Sequence, residues 1–312
     1  MLPQFTKTDI QIVAAPAPHP IGCSLGTCKR PGDTTEYVLK QFADNAAYER
    51  ERDMQLLVQP PDSFEQLAHF VDLCAASDTE KHLIYEPSAG SVSALYAGFA
   101  TAIDPKLQFR CLYDLTQALC RLHEPAVGFT HGRLTSSLCL LPNSTPIWNS
   151  KQPVLQLRDL VLEGPISQDN AVFRAPEAAS GNPIPASDVF SFGVIAFEVI
   201  TGQRFGAYSS QERAELFAGR KLASASSPQL LKTANETFLE NKSPGLARMV
   251  VRCWDTDATK RPTAAVCREL LATLLGTPGA FLCLSCCSGS KLGVQRPRSP
   301  FCRSSLRRIS RV

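Results

Sequence analysis

The chain has 312 residues, of which 44% are hydrophobic and 20% are charged. This length supports one large domain or two smaller ones, and the composition is typical of a soluble globular protein. The formal net charge of +3 is unevenly distributed, because residues 270–312 contain basic residues and no acidic ones. The preceding part of the chain is therefore mildly acidic, and the tail is basic.

The twelve cysteines are scattered along the chain, and several fall inside apolar helical patterns. Residues 1–20 contain Lys7, Asp9 and prolines at positions 16, 18 and 20, which interrupt the apolar stretch that a secretory signal needs. We therefore expect reduced, buried thiols in a cytoplasmic protein. This expectation argues against a secreted scaffold held together by disulfides.

The first part of the chain is predicted to be strand-rich with one helix. Residues 36–42 alternate between apolar and polar side chains, as in a half-buried strand, and residues 81–86 form another short strand that ends before Pro87. Residues 46–59 show a charged helical pattern. Residues 64–74 are a further candidate strand.

The chain then becomes helical up to residue 275. Residues 107–122 carry leucines and a cysteine at helical spacing. Residues 188–201 are almost wholly apolar, so this helix should lie at the centre of a large domain, and Gly202 should end it. Further helices are predicted at residues 210–220, 244–254 and 263–275. The order of elements predicts an α+β fold in two lobes.

Three strings in the helical part match one family in the right order. They are Phe173-Arg-Ala-Pro-Glu177, Ser187-Asp-Val-Phe-Ser-Phe-Gly193, and Cys253-Trp254 followed by Arg261-Pro-Thr263. On these strings the chain resembles the eukaryotic protein kinases, over roughly residues 18–275. The resemblance includes features of the tyrosine-kinase-like group, to which interleukin-receptor-associated and plant receptor-like kinases belong.

The resemblance implies a domain organisation and several structural roles. Residues 1–17 would be an N-terminal extension, 18–86 a small strand-rich lobe, 87–275 a larger helical lobe, and 276–312 a basic, disordered tail. Glu177 and Arg261 would form a buried ion pair, and Asp188 would cap backbone amides of the catalytic loop. His131 would have a structural role rather than a catalytic one.

The catalytic loop departs from the family pattern His-Arg-Asp-Leu-Lys-x-x-Asn and reads His131-Gly-Arg-Leu-Thr-Ser-Ser-Leu138. Arg133 replaces the aspartate that accepts the substrate proton, and its pKa is too high for it to act as a base. Leu138 replaces the asparagine that holds magnesium, and it offers no oxygen. The His-Gly start is similar to the kinase-homology domains of receptor guanylyl cyclases. The pattern predicts a pseudokinase with no intact catalytic set.

The nucleotide-binding positions are retained only in part. Lys40 matches the lysine of the third strand, and Asp159 matches the aspartate that binds magnesium. Gly22 and Gly26 are candidates for the outer glycines of a degraded phosphate loop. ATP and magnesium are the cofactors that the resemblance implies, but the losses in the catalytic loop weigh against both.

Two further features of this site follow from the resemblance. Tyr85 occupies the gatekeeper position at the entrance to the hinge, and Glu86 follows it. Aligning the apolar pair at the end of the helix predicts Asp53 as the partner of Lys40. Glu49 and Glu51 are the alternatives.

The tail contains three cysteines, Cys283, Cys286 and Cys287, followed by arginines. Such a segment is a candidate for palmitoylation beside a polybasic patch, which would give peripheral membrane contact. A membrane span over residues 270–290 is an alternative, although glycines and a proline at 276–279 interrupt it.

Three functional hypotheses follow from these observations. The first is a binding, scaffold or allosteric module that engages a protein partner, such as an active kinase or a signalling complex. The second is a weak ATP-dependent kinase that uses Lys40 and Asp159. The third is a membrane-tethered adaptor that depends on the tail. We expect no nucleic-acid partner.

Overall fold

A computed structural model of the chain describes residues 9–19, 23–58, 70–71, 73–94, 105–142, 154–161, 168–217 and 244–276. Within these ranges the first part of the chain builds an antiparallel sheet with one helix, and the later part is mainly helical. The predicted α+β class is therefore confirmed. The tail cysteines, Cys283, Cys286 and Cys287, lie outside the described residues.

The larger sheet has the strand order β1-β2-β3-β5-β4, and every pair of neighbouring strands is antiparallel. Its strands are β1 (Gln11–His19), β2 (Cys23–Lys29), β3 (Tyr37–Gln41), β4 (Leu73–Ser77) and β5 (His82–Tyr85). The predicted strands at 36–42 and 81–86 correspond to β3 and β5. Of the candidate strand at 64–74, residues 64–69 and 72 lie outside the described residues, and β4 begins only at Leu73.

The sheet begins earlier in the chain than the sequence predicts. β1 starts at Gln11, and the preceding Ile10 is buried against the sheet, so residues 11–17 are not an extension. The prolines at 16 and 18 lie within β1. They are tolerated because β1 is an edge strand, where a missing N–H donor need not interrupt the ladder.

One helix, α1 (Asn45–Val58), packs against the same sheet. The Asp44 carboxylate accepts a hydrogen bond from the Ala47 amide at 2.9 Å, which satisfies a donor at the start of the helix. The buried side chains of α1 recur at helical spacing, at Ala47, Tyr48, Glu51, Gln55 and Val58.

A second, smaller sheet links the two parts of the fold. It consists of the antiparallel strands β6 (Ser88–Ser91), β7 (Cys139–Pro142) and β8 (Gln156–Leu157), in that order. Phe70 forms a parallel bridge with Leu157 of β8. Because β8 ends at Leu157, it positions the segment that contains Asp159.

The helical part is organised around the apolar helix that the sequence predicted. Its helices are α2 (Pro105–His123), α3 (Gln168–Ala171), α4 (Pro176–Ala179), α5 (Pro185–Thr201), α6 (Ser210–Phe217), α7 (Pro244–Cys253) and α8 (Ala264–Leu274). Every residue of α5 from Ser187 to Val199 is buried. Gly202 caps this helix with a φ of 67°, as predicted, and α5 contacts both α2 and α7.

The eight cysteines among the described residues are thiols that are not joined in disulfides. This agrees with the expected reduced state of this part of the chain. Of the helices that the structure describes, none is both long enough and apolar enough to cross a membrane.

Candidate functional site

Lys40 lies in the middle of β3, and its side chain is only 2% exposed. The strand alternates, so that Leu39 packs into one apolar cluster with Ile10 and Ile84, whereas Lys40 lies on the face that α1 covers. The Lys40 Nζ atom also lies 5.0 Å from the centre of the Phe42 ring. A buried ammonium needs an opposite charge nearby, so the neighbours of Lys40 define the site.

Two carboxylates supply that charge. The Lys40 Nζ atom lies 2.8 Å from Oδ1 of Asp159 and 3.5 Å from Oε1 of Glu51. Burial by itself would lower the pKa of Lys40, but Asp159 and Glu51 outweigh burial and raise it. The Lys40 side chain is therefore protonated at neutral pH.

The partner of Lys40 on α1 is Glu51, so the prediction of Asp53 is wrong. Asp53 is 63% exposed and pairs with the neighbouring Arg52. Glu49, the other alternative, lies on the exposed side of α1 and accepts a hydrogen bond from Asn45. Two residues correspond to about 200° around a helix, so Asp53 lies on the opposite face from Glu51.

Glu51 connects three elements, and its side chain is fully buried. Its Oε1 atom accepts a hydrogen bond from the Tyr85 hydroxyl of β5 at 3.1 Å, and its Oε2 atom accepts one from the Val161 amide at 2.7 Å. Burial, together with Glu51, raises the pKa of Tyr85, so the phenol stays protonated and donates. The predicted gatekeeper thus contacts the ion cluster directly.

Asp159 is 1% exposed, and both of its carboxylate oxygens contact a cation. Oδ1 contacts Lys40, and Oδ2 accepts a hydrogen bond from Nε of Arg158 at 3.0 Å. Burial raises the pKa of Asp159, but Lys40 and Arg158 outweigh it and hold the pKa at about 2. Asp159 has a φ of 58°, a left-handed conformation that is unusual for a residue other than glycine.

The loop that contains His131 is anchored to the start of α5. The buried carboxylate of Asp188 accepts hydrogen bonds from the amides of His131, at 2.9 Å, and Gly132, at 2.7 Å. It also lies 2.9 Å from Nε2 of His123. Gly132 has a φ of 70°, and a Cβ atom there would lie 2.9 Å from Cβ of Pro183, so glycine is required at this position.

His131 is buried, and burial lowers its pKa. Its Nδ1 atom accepts a hydrogen bond from the Arg133 amide at 3.3 Å, which fits a neutral ring with the proton on Nε2. Arg133 itself is half-buried. The Leu138 side chain lies in the main apolar core, and its carbonyl accepts a hydrogen bond from the Arg158 amide at 3.2 Å.

Glu177 and Arg261 are brought together as an ion pair with two hydrogen bonds, of 2.5 Å and 3.0 Å. The Ser187 hydroxyl also donates to Glu177, at 2.7 Å. The Arg261 side chain is fully buried and makes two further hydrogen bonds, to the carbonyls of Asp255 and Ala186. This pair ties α4 to the loop before α8.

A model of the protein tyrosine and serine/threonine kinase family matches residues 102–271, which is more than half of the chain. The chain belongs to this kinase family. The match covers the anchored loop, Asp159 and the pair formed by Glu177 and Arg261.

Curated relatives of the kinase-family domain include receptors of two kinds. The receptor-type guanylate cyclase gcy-20 of Caenorhabditis elegans is 24% identical over 77% of this chain and 22% of its own length. Human guanylyl cyclase C is 26% identical over 56% of this chain and 16% of its own length. The L-type lectin-domain containing receptor kinase S.1 of Arabidopsis thaliana is 33% identical over 34% of this chain and 16% of its own length. The chain thus spans about a fifth of these relatives or less.

Gly26 and Glu86, two further positions of the kinase pattern, do not join the ion cluster. Gly26 lies within β2, and a Cβ atom there would lie 2.5 Å from the Ala14 carbonyl oxygen, so this glycine allows β1 and β2 to approach closely. Gly22 lies outside the described residues. The Glu86 side chain is exposed and accepts a weak hydrogen bond from the Cys74 thiol at 3.5 Å.

The described residues do not fit the magnesium ion that a kinase would hold. Magnesium requires several oxygen ligands, but both oxygens of Asp159 already contact cations and Leu138 offers none. No group of three or more His, Cys, Asp or Glu side chains among the described residues could hold a metal. Lys40 is likewise paired with two carboxylates, so a nucleotide phosphate would have to compete with them.

Two site residues were missed or left undecided by sequence reasoning. Glu51 was an alternative to Asp53, and only the fold shows that it shares the buried face of α1 with Ala47 and Gln55. Arg158 was not singled out, because nothing in the sequence pattern distinguishes a residue that precedes Asp159 from any other surface arginine. Only the fold shows that its side chain turns toward the carboxylate.

Proposed function

We propose that this kinase-family domain is a pseudokinase with a bilobal fold, which acts by binding a protein partner and not by phosphoryl transfer. The observation that carries the proposal is the loop of residues 131–138. In it, an arginine stands at the position of the catalytic base, and a buried leucine stands at the position of a metal ligand.

The chemical argument concerns proton transfer and charge. A guanidinium cannot accept the proton of a substrate hydroxyl, because its pKa is above 12. Loss of a general base typically costs about 10²- to 10⁴-fold in rate. The Leu138 side chain packs into the core and contains no oxygen, so no rotation of this side chain could supply the missing metal ligand.

The relatives indicate the setting in which such a module would act. Their names describe receptor-type guanylate cyclases and a receptor kinase, and the part that aligns with this chain covers about a fifth of each protein or less. We propose that this domain likewise regulates a signalling partner, such as an active kinase or a signalling complex.

The test is phosphoryl transfer from radiolabelled ATP to a generic protein substrate and to the chain itself, using the full chain. Wild type should give the same signal as Lys40→Met and Asp159→Asn, because the chemistry is already absent. Circular dichroism checks that both variants fold. Turnover in wild type that both substitutions abolish would overturn the proposal.

One observation favours a second candidate function, a weak ATP-dependent kinase. The arrangement of Lys40, Glu51 and Asp159 brings together charged groups that phosphoryl transfer uses for positioning. The same assay separates the two candidates, since only the weak kinase predicts a signal above the Lys40→Met background.

The third candidate, a membrane-tethered adaptor, depends on Cys283, Cys286, Cys287 and the basic residues beyond them. These residues lie outside the described part of the chain. Membrane contact through the tail therefore stays a prediction from the sequence.

A further inference from the structure

Asp159 differs from a metal-binding carboxylate because both of its oxygens already contact cations. A carboxylate that holds magnesium needs at least one oxygen directed toward the metal and free of other cations. Here the Lys40 ammonium lies 2.8 Å from Oδ1, and the Arg158 guanidinium lies 3.0 Å from Oδ2. The side chain of Asp159 is otherwise enclosed.

We propose that Arg158 takes the position of the divalent cation at Asp159, so that any nucleotide or other polyphosphate at this site is bound without a metal. This inference rests on the proposed function, which it deepens by naming the ligand chemistry of the site. Arg158 is then the residue that determines metal independence.

Charge makes the exchange of Arg158 for a metal unfavourable. The cluster of Lys40, Arg158, Glu51 and Asp159 contains two cations and two anions, so it is already neutral. An entering divalent ion would meet two positive groups that cannot lose their protons at neutral pH. If Arg158 moved away to admit the metal, it would give up its ion pair with a buried carboxylate.

The backbone holds Arg158 in place. Its amide donates to the carbonyl of Leu138 at 3.2 Å, directly after β8. This contact joins the arginine to the residue at which the kinase pattern has its second metal ligand. Arg158 and Leu138, which lacks the oxygen of a metal ligand, are thus adjacent in space.

Arg158 also has the capacity to bind a phosphate. Its side chain is 16% exposed, and only its Nε atom makes a hydrogen bond to a described residue. A guanidinium offers five N–H donors in a planar fork that matches phosphate oxygens. Of the two cations beside Asp159, the arginine is therefore the more accessible to a phosphate.

Thermal unfolding of the full chain tests this inference, with ATP plus EDTA compared with ATP plus MnCl₂. Wild type and Arg158→Lys should unfold at the same temperature in both mixtures. Arg158→Met removes the cation and should gain a manganese-dependent rise in unfolding temperature of about 2–4 °C. Arg158→Gln is a second neutral variant that keeps a donor for Oδ2, in case Arg158→Met fails to fold.

The exposed Arg252 of α7 provides the matched control, because Arg252→Met should show no manganese-dependent rise. MnCl₂ without ATP corrects for binding elsewhere. A manganese-dependent rise in wild type that Asp159→Asn abolishes would overturn the inference. So would the absence of any such rise in both neutral variants, since Arg158 would then not be what excludes the metal. Neither result affects the proposed function, which the phosphoryl-transfer assay judges separately.

Discussion

Glu51 accepts hydrogen bonds from Tyr85 and Val161 and an ion pair from Lys40, so a single carboxylate joins β3, β5, α1 and the segment after Asp159. A buried anion with several donors is well satisfied, but removing its charge leaves those donors poorly paired. At the scale of single residues, Glu51 therefore links the sheet, α1 and the segment after Asp159, and loss of its charge would affect all three.

The substitution Glu51→Gln should lower the free energy of unfolding by about 3 kcal/mol, the lower end of the range for breaking a buried pair, because Asp159 remains beside Lys40. Asp53→Asn, on the exposed face of the same helix, should change it by less than about 0.5 kcal/mol. Urea denaturation of both variants measures the difference. Equal losses in the two variants would contradict the assignment of Glu51.

The failure to select Glu51 from the sequence has a physical reason. The alignment relied on Leu56 and Leu57 as an apolar pair that should face the core. Each of them is 42% exposed, and Gln55 is buried in their place. A polar residue in the buried stripe and leucines outside it reverse the usual pattern, so the register of α1 could not be read from hydrophobicity alone.

At the scale of secondary-structure elements, β1 depends on Gly26 of β2. A Cβ atom at Gly26 would lie 2.5 Å from the carbonyl oxygen of Ala14 and 2.8 Å from the nitrogen of Pro16. Both contacts involve backbone, which cannot rotate away as a side chain can. β1 also departs from regular register on either side of Ala14.

Gly26→Ala should therefore destabilise the chain by about 1–3 kcal/mol through overpacking. Gly206→Ala is the matched control, because a Cβ atom at Gly206 meets nothing within 4 Å. Amide hydrogen exchange should show faster exchange in residues 11–19 of Gly26→Ala alone. Unchanged protection of β1 in that variant would show that the close approach is not required.

At the scale of the whole molecule, the pair of Glu177 and Arg261 connects distant parts of the helical region. Burial opposes ionisation of Glu177, but hydrogen bonds from Arg261 and Ser187 outweigh it and lower its pKa to about 2. A carboxyl whose pKa is lower when folded contributes stability above its unfolded pKa of about 4.3. That contribution is lost as the pH falls from there toward 2.

The difference in stability between wild type and Glu177→Gln should therefore be full at pH 6 and should shrink between about pH 4.3 and 2. Urea denaturation of both proteins across this range measures it. A difference that stays constant with pH would show that ionisation of Glu177 does not contribute to stability.

Much of the fold was predictable because local and global signals agree. The apolar run ending at Gly202 indicated a central helix, and α5 is buried along most of its length. The pairing of Glu177 with Arg261 followed from a family resemblance, since residues 84 positions apart cannot be paired from local pattern. Arg158 and the early start of β1 were not predictable, because each depends on contacts that only the folded chain creates.

The neutral cluster around Asp159 is complete without any bound molecule. Because its buried charges are already balanced, the domain needs no bound molecule in order to fold. A ligand that binds the folded state adds stability by mass action but is not a condition for folding. Newly made chains can therefore fold before they meet a nucleotide or a divalent ion.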